Sequence, residues 1–388
     1  MTRKRTGVAA AVLLVIAIMA LGACGGAASE VAPVRTEPRA APAVVPEPMA
    51  EGMVIRFALA PDPLWQWLID SGTLAAWEQE HGVRIEASHP FRPFTAIVSG
   101  SADIIVVNAL EIPLFTPDLE HTPVIIGKYT WDRSITATKR TSLATDLAGV
   151  VEGRIAMKSQ IGSTLLWALI ADSRHDLELI YGGPDFEFMI ATFGVADAVE
   201  RGEADACICQ PEESVQALGT GSLRALYGGK SAAELYAETL GDASRPPLGQ
   251  VFLADGAWRQ RNPIAVNLFV ELWETAIQHW HRSFPTVIAQ YPELLSVQTD
   301  DEVQWLSAYV ELHNWVAPSA YTDSEDRQLY IDAVSLLMDA GHLPAHAPVP
   351  QLGLRRTGAA AGSQQDDLDD ASAPQLAALG AVATNGGQ

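Results

Sequence analysis

The stretch RIAMKSQIGSTLLWALIADS, residues 154–173, decides the fold class of this chain. Its first part, RIAMKS, has the short apolar run of a buried strand, and GSTLLWALIADS (162–173) has the length and composition of a helix. The alternation continues downstream, with strands predicted at LELIYG (177–182) and ADACICQ (204–210) and a helix at FMIATFGVADAVERG (188–202). Repeated strand–helix alternation is typical of an open α/β sheet.

The same pattern precedes this stretch. The apolar segment ADIIVVNA (102–109) indicates a buried strand, as in a parallel sheet. Asp62 and Pro63 provide an N-cap and a first-turn residue for an earlier helix. Strands are also predicted from Met53, at 83–88 and at 122–130, and a short helix at 94–100.

From Gln250 the composition changes. The segment VFLADGAW predicts one more strand, and Asn262 and Pro263 begin a helix whose apolar residues recur at the helical period. Two further amphipathic helices follow before the chain becomes rich in Gly, Ala, Ser, Gln and Asp. Such a composition cannot bury enough apolar surface to offset the entropy of ordering, so residues 350–388 are predicted to be disordered.

Length and charge exclude several classes of protein. The 388 residues suit two domains, and 48% of them are hydrophobic, enough for a sizeable core. The 25 Lys and Arg against 47 Asp and Glu give a formal net charge of −22. That excess argues against a nucleic-acid partner and against adhesion to anionic lipid headgroups. Three cysteines exclude a disulfide-stapled scaffold.

The N-terminus has the features of an export signal. Arg3, Lys4 and Arg5 precede an apolar run at 11–23 that is short for a membrane span. The run ends in Leu-Gly-Ala-Cys at Cys24, which resembles the lipobox of bacterial lipoproteins. This resemblance implies that 1–24 carries the lipoprotein signal and that Cys24 is lipidated; the alternative is an ordinary secretory signal with an incidental cysteine. The Pro- and Ala-rich residues 25–52 are expected to form a tether.

Three blocks together carry a family resemblance. They are FTAIVSGSADIIVVNALEIP (94–113), LAGVVEGRIAMKSQIGSTLLWALI (147–170) and AVERGEADACICQPEESVQALGTGSLRAL (198–226). In order and spacing they resemble solute-binding proteins of ABC importers, specifically the SsuA-like branch of the nitrate/sulfonate/thiamine-precursor family. The resemblance covers about residues 53 to 345.

The resemblance implies a two-lobed α/β fold of the periplasmic-binding-protein type II class, with two crossover strands and a ligand clamped between the lobes. Lobe one would comprise 53–130 plus 247–345 and lobe two 131–246, with a hinge near Thr130 and Arg245. The implied partners are a small-molecule ligand, an ABC permease and its ATPase, and a membrane reached through the lipid anchor. A monomer without cofactor is expected, outside the cytoplasm, in the periplasm or on the outer surface.

Candidate ligand-binding residues follow from a geometric rule. Ligands of open α/β sheets lie beyond the carboxyl ends of the strands. A helix that begins at Gly162-Ser163-Thr164 would present free N–H groups and two hydroxyls to an anion, although Ser and Thr are also ordinary caps. The predicted binding residues are Asp62, Trp65, Asn108, Tyr129, Trp131, Gly162, Ser163, Thr164, Gln210 and Glu212; Glu111, Asp132 and Arg133 lie at the same strand ends.

The function predicted is delivery of a small solute, anionic or heterocyclic, to an importer. Sulfonate, nitrate-like anion, pyrimidine and small carboxylate all stay open. An extracellular ligand sensor is one alternative, and an enzyme related to thiamine-pyrimidine synthases is another. The enzyme alternative is disfavoured because Cys207-Ile208-Cys209 is the only close cysteine pair, and these are expected to be small buried thiols. No catalytic constellation or metal-ligand motif is found in the sequence.

Overall fold

The computed structural model describes residues 52–191, 194–240 and 246–353, which all belong to one compact unit. Cys24 and the tether lie outside these residues. Eleven strands are present among them: β1 (Met53–Ala58), β2 (Val83–Ser88), β3 (Ile104–Asn108), β4 (Val124–Lys128), β5 (Ile135–Lys139), β6 (Arg154–Met157), β7 (Glu187–Ile190), β8 (Ala206–Cys209), β9 (Leu223–Ala225), β10 (Gln250–Ala254) and β11 (Gln351–Leu352).

The α-helices cover these sheets. In chain order they are α1 (Pro63–Asp70), α2 (Thr73–His81), α3 (Pro93–Val98), α4 (Ile112–Phe115), α5 (Ser163–His175), α6 (Val195–Arg201), α7 (Val215–Gly219), α8 (Ala232–Thr239), α9 (Gly256–Arg261), α10 (Pro263–Gln290), α11 (Asp300–Leu312) and α12 (Ser324–Asp339). Within the described residues, none of the helices is both long and apolar enough to cross a membrane.

The strands form two separate sheets. The first sheet has the order β11-β4-β10-β3-β1-β2, and β10 lies antiparallel between β3 and β4 although it follows them by more than a hundred residues. The second sheet has the order β7-β6-β8-β5-β9, and all its strands come from residues 135–225. The first sheet is thus built from strands that precede residue 130 or follow residue 249, and the second sheet from strands between them. The exact lobe boundaries stay a prediction.

Two neighbouring segments connect the two sheets: residues 129–134, between β4 and β5, and residues 246–249, before β10. We call them the crossing segments. Trp131 pairs with Leu248 in an antiparallel bridge, and the N–H of Gly249 donates to the carbonyl of Thr130 at 2.8 Å. A Cβ at Gly249 would overlap the backbone of Trp131 and Asp132, so only glycine permits this close approach. Arg245, the other residue predicted at the hinge, lies outside the described residues.

The core is apolar and rich in aromatic side chains. Under the first sheet, Phe57, Phe252, Phe269 and Trp273 are fully buried and contact one another with ring centroids 4.8–6.5 Å apart. Such pairs contribute beyond their buried area. Helix α10 supplies Phe269 and Trp273 from the apolar face that the helical period predicts.

Three local predictions are wrong. Residues 177–182 form no strand, and the strand of this region is β7, where a helix was predicted. β7 pairs with β6 in parallel register, so tertiary pairing overrides a pattern that has no strict period. The predicted disordered tail also begins too early, because Gln351–Leu352 pair with β4.

Candidate functional site

A cavity of about 440 Å³ lies where strands of both sheets end. Its wall is formed by residues that directly follow β1, by the end of β3 and by the loop after β6. The end of β8 and both crossing segments complete it. Its position is the one that the carboxyl-end rule predicts, and its size suits a small organic molecule.

Asp62 is held in place by the first helix. It is the N-cap of α1, and its Oδ1 accepts from the N–H groups of Leu64 and Trp65, both at 2.9 Å. Its Oδ2 accepts from the hydroxyl of Tyr129 at 2.6 Å, a bond that joins the first strand's loop to the crossing segment. Burial raises the pKa of Asp62, and burial together with the Asp62 carboxylate raises the pKa of Tyr129.

A second hydrogen-bond network centres on the buried Asp132. Its Oδ2 accepts from Asn108 Nδ2 at 3.2 Å, and its Oδ1 accepts from Ser134 Oγ at 2.5 Å. Ser134 in turn accepts from Trp167 Nε1, in α5, at 3.0 Å. Asn108 also contacts Ser163 Oγ at 3.5 Å. Because β3 belongs to the first sheet and α5 follows a strand of the second, this network crosses the cavity.

The start of α5 carries the Gly-Ser-Thr segment. Gly162 precedes the helix with φ +68° and ψ −127°, and a Cβ there would lie 2.5 Å from Glu111 Oε1. The carboxylate of Glu111 therefore lies against the helix start. Ser163 is partly exposed to the cavity, but Thr164 is buried and its hydroxyl donates to the carbonyl of Ser159 at 2.7 Å. The hydroxyl hydrogen of Thr164 is thus used within the chain, so Ser163 is the hydroxyl donor that this helix start has to offer.

Glu111 is an acid of the cavity wall with a strongly raised pKa. Burial and, to a lesser degree, the nearby Asp132 raise its pKa to about 7. No side-chain hydrogen bond or ion pair joins Glu111 to any residue in the described part of the chain. A carboxyl group in that position has an acceptor to offer to a ligand.

Two basic residues line the cavity, and each contacts an acid. Arg133 Nε donates to Glu212 Oε1 at 2.7 Å, and its guanidinium lies 5.8 Å from the ring of Trp315. Burial alone would lower the pKa of Arg133, but Glu212 raises it. Lys158 pairs with Glu213, whose own pKa is raised by burial and by Glu212. The two positive charges are thus largely neutralised.

Seven of the ten predicted binding residues line the cavity: Asp62, Asn108, Tyr129, Trp131, Ser163, Thr164 and Gln210. Gly162 lies next to the wall, and Glu212 lies behind Arg133, where it is 6% exposed. That these residues bind a ligand stays a prediction.

Trp65 does not line the cavity. It points into the core, is 4% exposed and stacks on Trp273 with ring centroids 6.2 Å apart. The reason is its phase on α1: Leu64, Trp65 and Leu68 form the apolar face that packs on the first sheet's core.

Several lining residues were missed by the sequence analysis, including Phe91, Lys158, Glu213 and Gln250. Lys158 directly follows β6, so the carboxyl-end rule alone would have found it. Glu213 directly follows a predicted residue. Phe91 carries no such signal, because it lies in a loop after the edge strand β2 and is 77% exposed.

The two cysteines of β8 are free and buried, as expected. Burial raises the pKa of the Cys207 thiol, and Cys209 lines the cavity. Across residues 52–191, 194–240 and 246–353, no three His, Cys, Asp or Glu side chains are grouped so as to hold a metal ion.

No protein-family model matches this sequence, and a comparison with curated proteins finds no match. Solved structures do match. The periplasmic aliphatic sulphonate binding protein SsuA from Escherichia coli is 14% identical with a TM-score of 0.59, over 77% of this chain and 96% of that one. The alkanesulfonate-binding protein SsuA from Xanthomonas axonopodis pv. citri, bound to MOPS, is 15% identical with a TM-score of 0.58, over 77% and 96%.

A third match comes from a fungus. A Candida albicans gene product described as exhibiting the generic periplasmic binding protein structural fold is 13% identical, with a TM-score of 0.54 over 78% of this chain and 99% of that one. The sheet arrangement and these matches confirm the predicted fold class. The chain has the α/β fold of periplasmic binding proteins.

Proposed function

We propose that this chain is the extracytoplasmic solute-binding component of an ABC importer. It clamps a small molecule between its two lobes and delivers it to a permease and its ATPase. The observation that carries the proposal is the cavity itself, which is walled by the ends of strands from both sheets and lies beside the segments that join them. The neighbours named as sulfonate-binding and periplasmic proteins support it.

We also propose where the chain is located and that it has no enzymatic activity. The chain is exported, and a lipid on Cys24 anchors it while residues 25–52 act as the tether. It is a monomer and catalyses no reaction. Replacement of Cys24 by Ser should release the protein from the membrane fraction, and a variant that stays in that fraction would contradict the anchor.

Ligand binding is expected to close the lobes. A ligand that contacts residues on both sides of the cavity stabilises the closed state. Binding therefore shifts the existing equilibrium between open and closed lobes toward the closed form. Small-angle scattering of the purified chain should show a smaller radius of gyration with a bound solute. A solute that raises the melting temperature without any compaction would count against the clamp.

Single substitutions at Ser163 and Thr164 distinguish an effect on ligand binding from an effect on stability. Ser163→Ala should lower the affinity for a solute held at the start of α5. The free energy of unfolding should change little, because this hydroxyl is partly exposed. Thr164→Val leaves the partly buried carbonyl of Ser159 without its donor and should cost about 1–3 kcal/mol of stability. Calorimetry and urea unfolding of both variants make the comparison. Unchanged affinity in Ser163→Ala would remove that residue from the site.

A further inference from the structure

Acidic side chains predominate in the cavity wall. Four carboxylates line it, at Asp62, Glu111, Asp132 and Glu213, against two basic groups. The bases are Arg133 and Lys158, which bond to Glu212 and Glu213. A free anion that enters the cavity would meet four acidic side chains and two cations already in ion pairs.

The helix start that would bind an anion faces a carboxylate of this chain. Helix α5 has thirteen residues, and Gly162 at its start lies against Glu111 Oε1. The positive end of the helix dipole is therefore shared with an internal acid. An exogenous sulfonate or carboxylate at this position would have to displace Glu111 or lie beside it.

Hydrogen-bond acceptors also lack donors here. The Oε1 atom of Gln210, in the cavity wall, is buried and has no donor among the described residues, and Oε2 of the 6%-exposed Glu212 behind it also has none. Thr164 directs its hydroxyl hydrogen away, to Ser159. A buried acceptor without a donor is costly, so a ligand that donates an N–H group to Gln210 in the wall would recover that cost.

These observations point to one ligand class. We propose that the solute carries a protonated amine, and that Glu111 is the carboxylate that holds its ammonium group. This inference rests on the proposed function, because it names the ligand class of the same cavity. It differs from the sequence expectation of an anionic or heterocyclic solute, because it names a small organic cation.

The remaining wall fits an organic cation. Tyr129, Trp131 and Phe91 line the cavity and offer aromatic surface beside the acids. The volume of about 440 Å³ accommodates a molecule with a carbon skeleton rather than a bare ion. The cost of burying Glu111, seen in its raised pKa of about 7, would be reduced by an ammonium partner.

Matched probes of opposite charge test the proposal. Purified full-length chain is heated with butylammonium chloride, benzylammonium chloride or 1,4-diaminobutane dihydrochloride. Parallel samples contain the sodium salts of butanesulfonate, phenylmethanesulfonate or 1,4-butanedisulfonate, which keep the same carbon skeletons. At least one ammonium compound should raise the melting temperature, and its sulfonate counterpart should not. Stabilisation by sulfonates alone, or by neither set, overturns the proposal.

Glu111→Gln then tests the assigned residue. The substitution keeps the side chain's shape but removes its charge. Calorimetry should show that the affinity for the stabilising amine falls by roughly tenfold or more. The control is Glu80→Gln, which removes an exposed carboxylate on α2 and should leave the affinity unchanged. Melting without ligand verifies that both variants fold. Equal affinity in Glu111→Gln and Glu80→Gln would overturn the role of Glu111.

The outcomes distinguish this inference from the proposed function. Sulfonates that stabilise and compact the chain would leave a solute-binding protein with an anionic ligand, and only the amine would be refuted. An amine that binds without compaction would retain the ligand class and refute the clamp. A metal salt such as zinc chloride, added alone, is the third arm, and stabilisation by zinc but by no amine would also refute the organic cation.

Discussion

At the scale of single residues, the carboxyl group of Glu111 lies in an environment that raises its pKa well above the ordinary value. Its position was found by the carboxyl-end rule, but nothing in the sequence indicates that it packs against Gly162 or lies near Asp132. Burial and the second acid both disfavour the charged form, so a carboxyl with a pKa of about 7 stands at the cavity wall.

This pKa predicts a pH-dependent stability. Between its ordinary pKa of 4.5 and about 7, Glu111 holds a proton in the folded chain that the unfolded chain releases. The contribution of Glu111 to the free energy of unfolding therefore falls as pH rises through this window. Glu111→Gln removes the titration, so its stability relative to wild type should increase from pH 4.5 to pH 8, by at most about 3 kcal/mol.

Urea unfolding across this pH range measures the effect. Glu80→Gln is the control, because it removes an exposed carboxyl on α2 outside the cavity wall. A difference between Glu111→Gln and wild type that stays constant with pH would show that Glu111 ionises as it does in water.

At the scale of elements, the crossing segments depend on close backbone contact. Gly249 lies against the backbone of Trp131 and Asp132, and Gln250 N–H donates to Thr130 Oγ1 at 3.1 Å. No sequence period marks such a glycine, because the backbone that excludes a side chain there lies more than a hundred residues earlier, at Trp131 and Asp132. A side chain at this position would separate the two segments on which the hinge proposal rests.

Gly249→Ala is therefore expected to destabilise the chain by about 1–3 kcal/mol, because the added methyl group would have to move backbone atoms. Thermal unfolding compares it with Gly219→Ala. Gly219 lies at the end of α7, its nearest neighbour to a new Cβ is Trp305 at 3.7 Å, and alanine there should be neutral or stabilising. Equal melting temperatures for both variants would mean that the crossing segments tolerate separation.

At the scale of the whole molecule, an ion pair joins distant parts of the chain. Lys128, at the end of β4, donates to Asp326 in α12 at 2.6 Å, and both side chains are buried. Their separation of 198 residues makes the pair a tertiary feature of the first sheet and its covering helix. Because Asp326 is buried, its carboxylate would be costly to keep in the interior without the charge of Lys128.

Lys128→Met should thus cost about 3–5 kcal/mol of stability, because the buried carboxylate of Asp326 loses the positive charge that Lys128 supplies. Lys230→Met is the matched control: its pair with Glu238 is surface-exposed, and loss of such a pair costs about 1 kcal/mol or less. Chemical denaturation measures both. A cost for Lys128→Met no larger than that for Lys230→Met would indicate that water or another group compensates Asp326.

The sequence by itself determined the α/β class, most strands and helices, and the loops that end at the cavity. These features depend on local period and on caps such as Asp62, which act within a few residues. Only the tertiary structure decided that β7 replaces the strand predicted at 177–182, that Trp65 joins the core, and that Glu111 faces the helix start at Gly162. Each depends on which distant segments pack together, and so does the acidic balance of the cavity, because opposite walls contribute its charges.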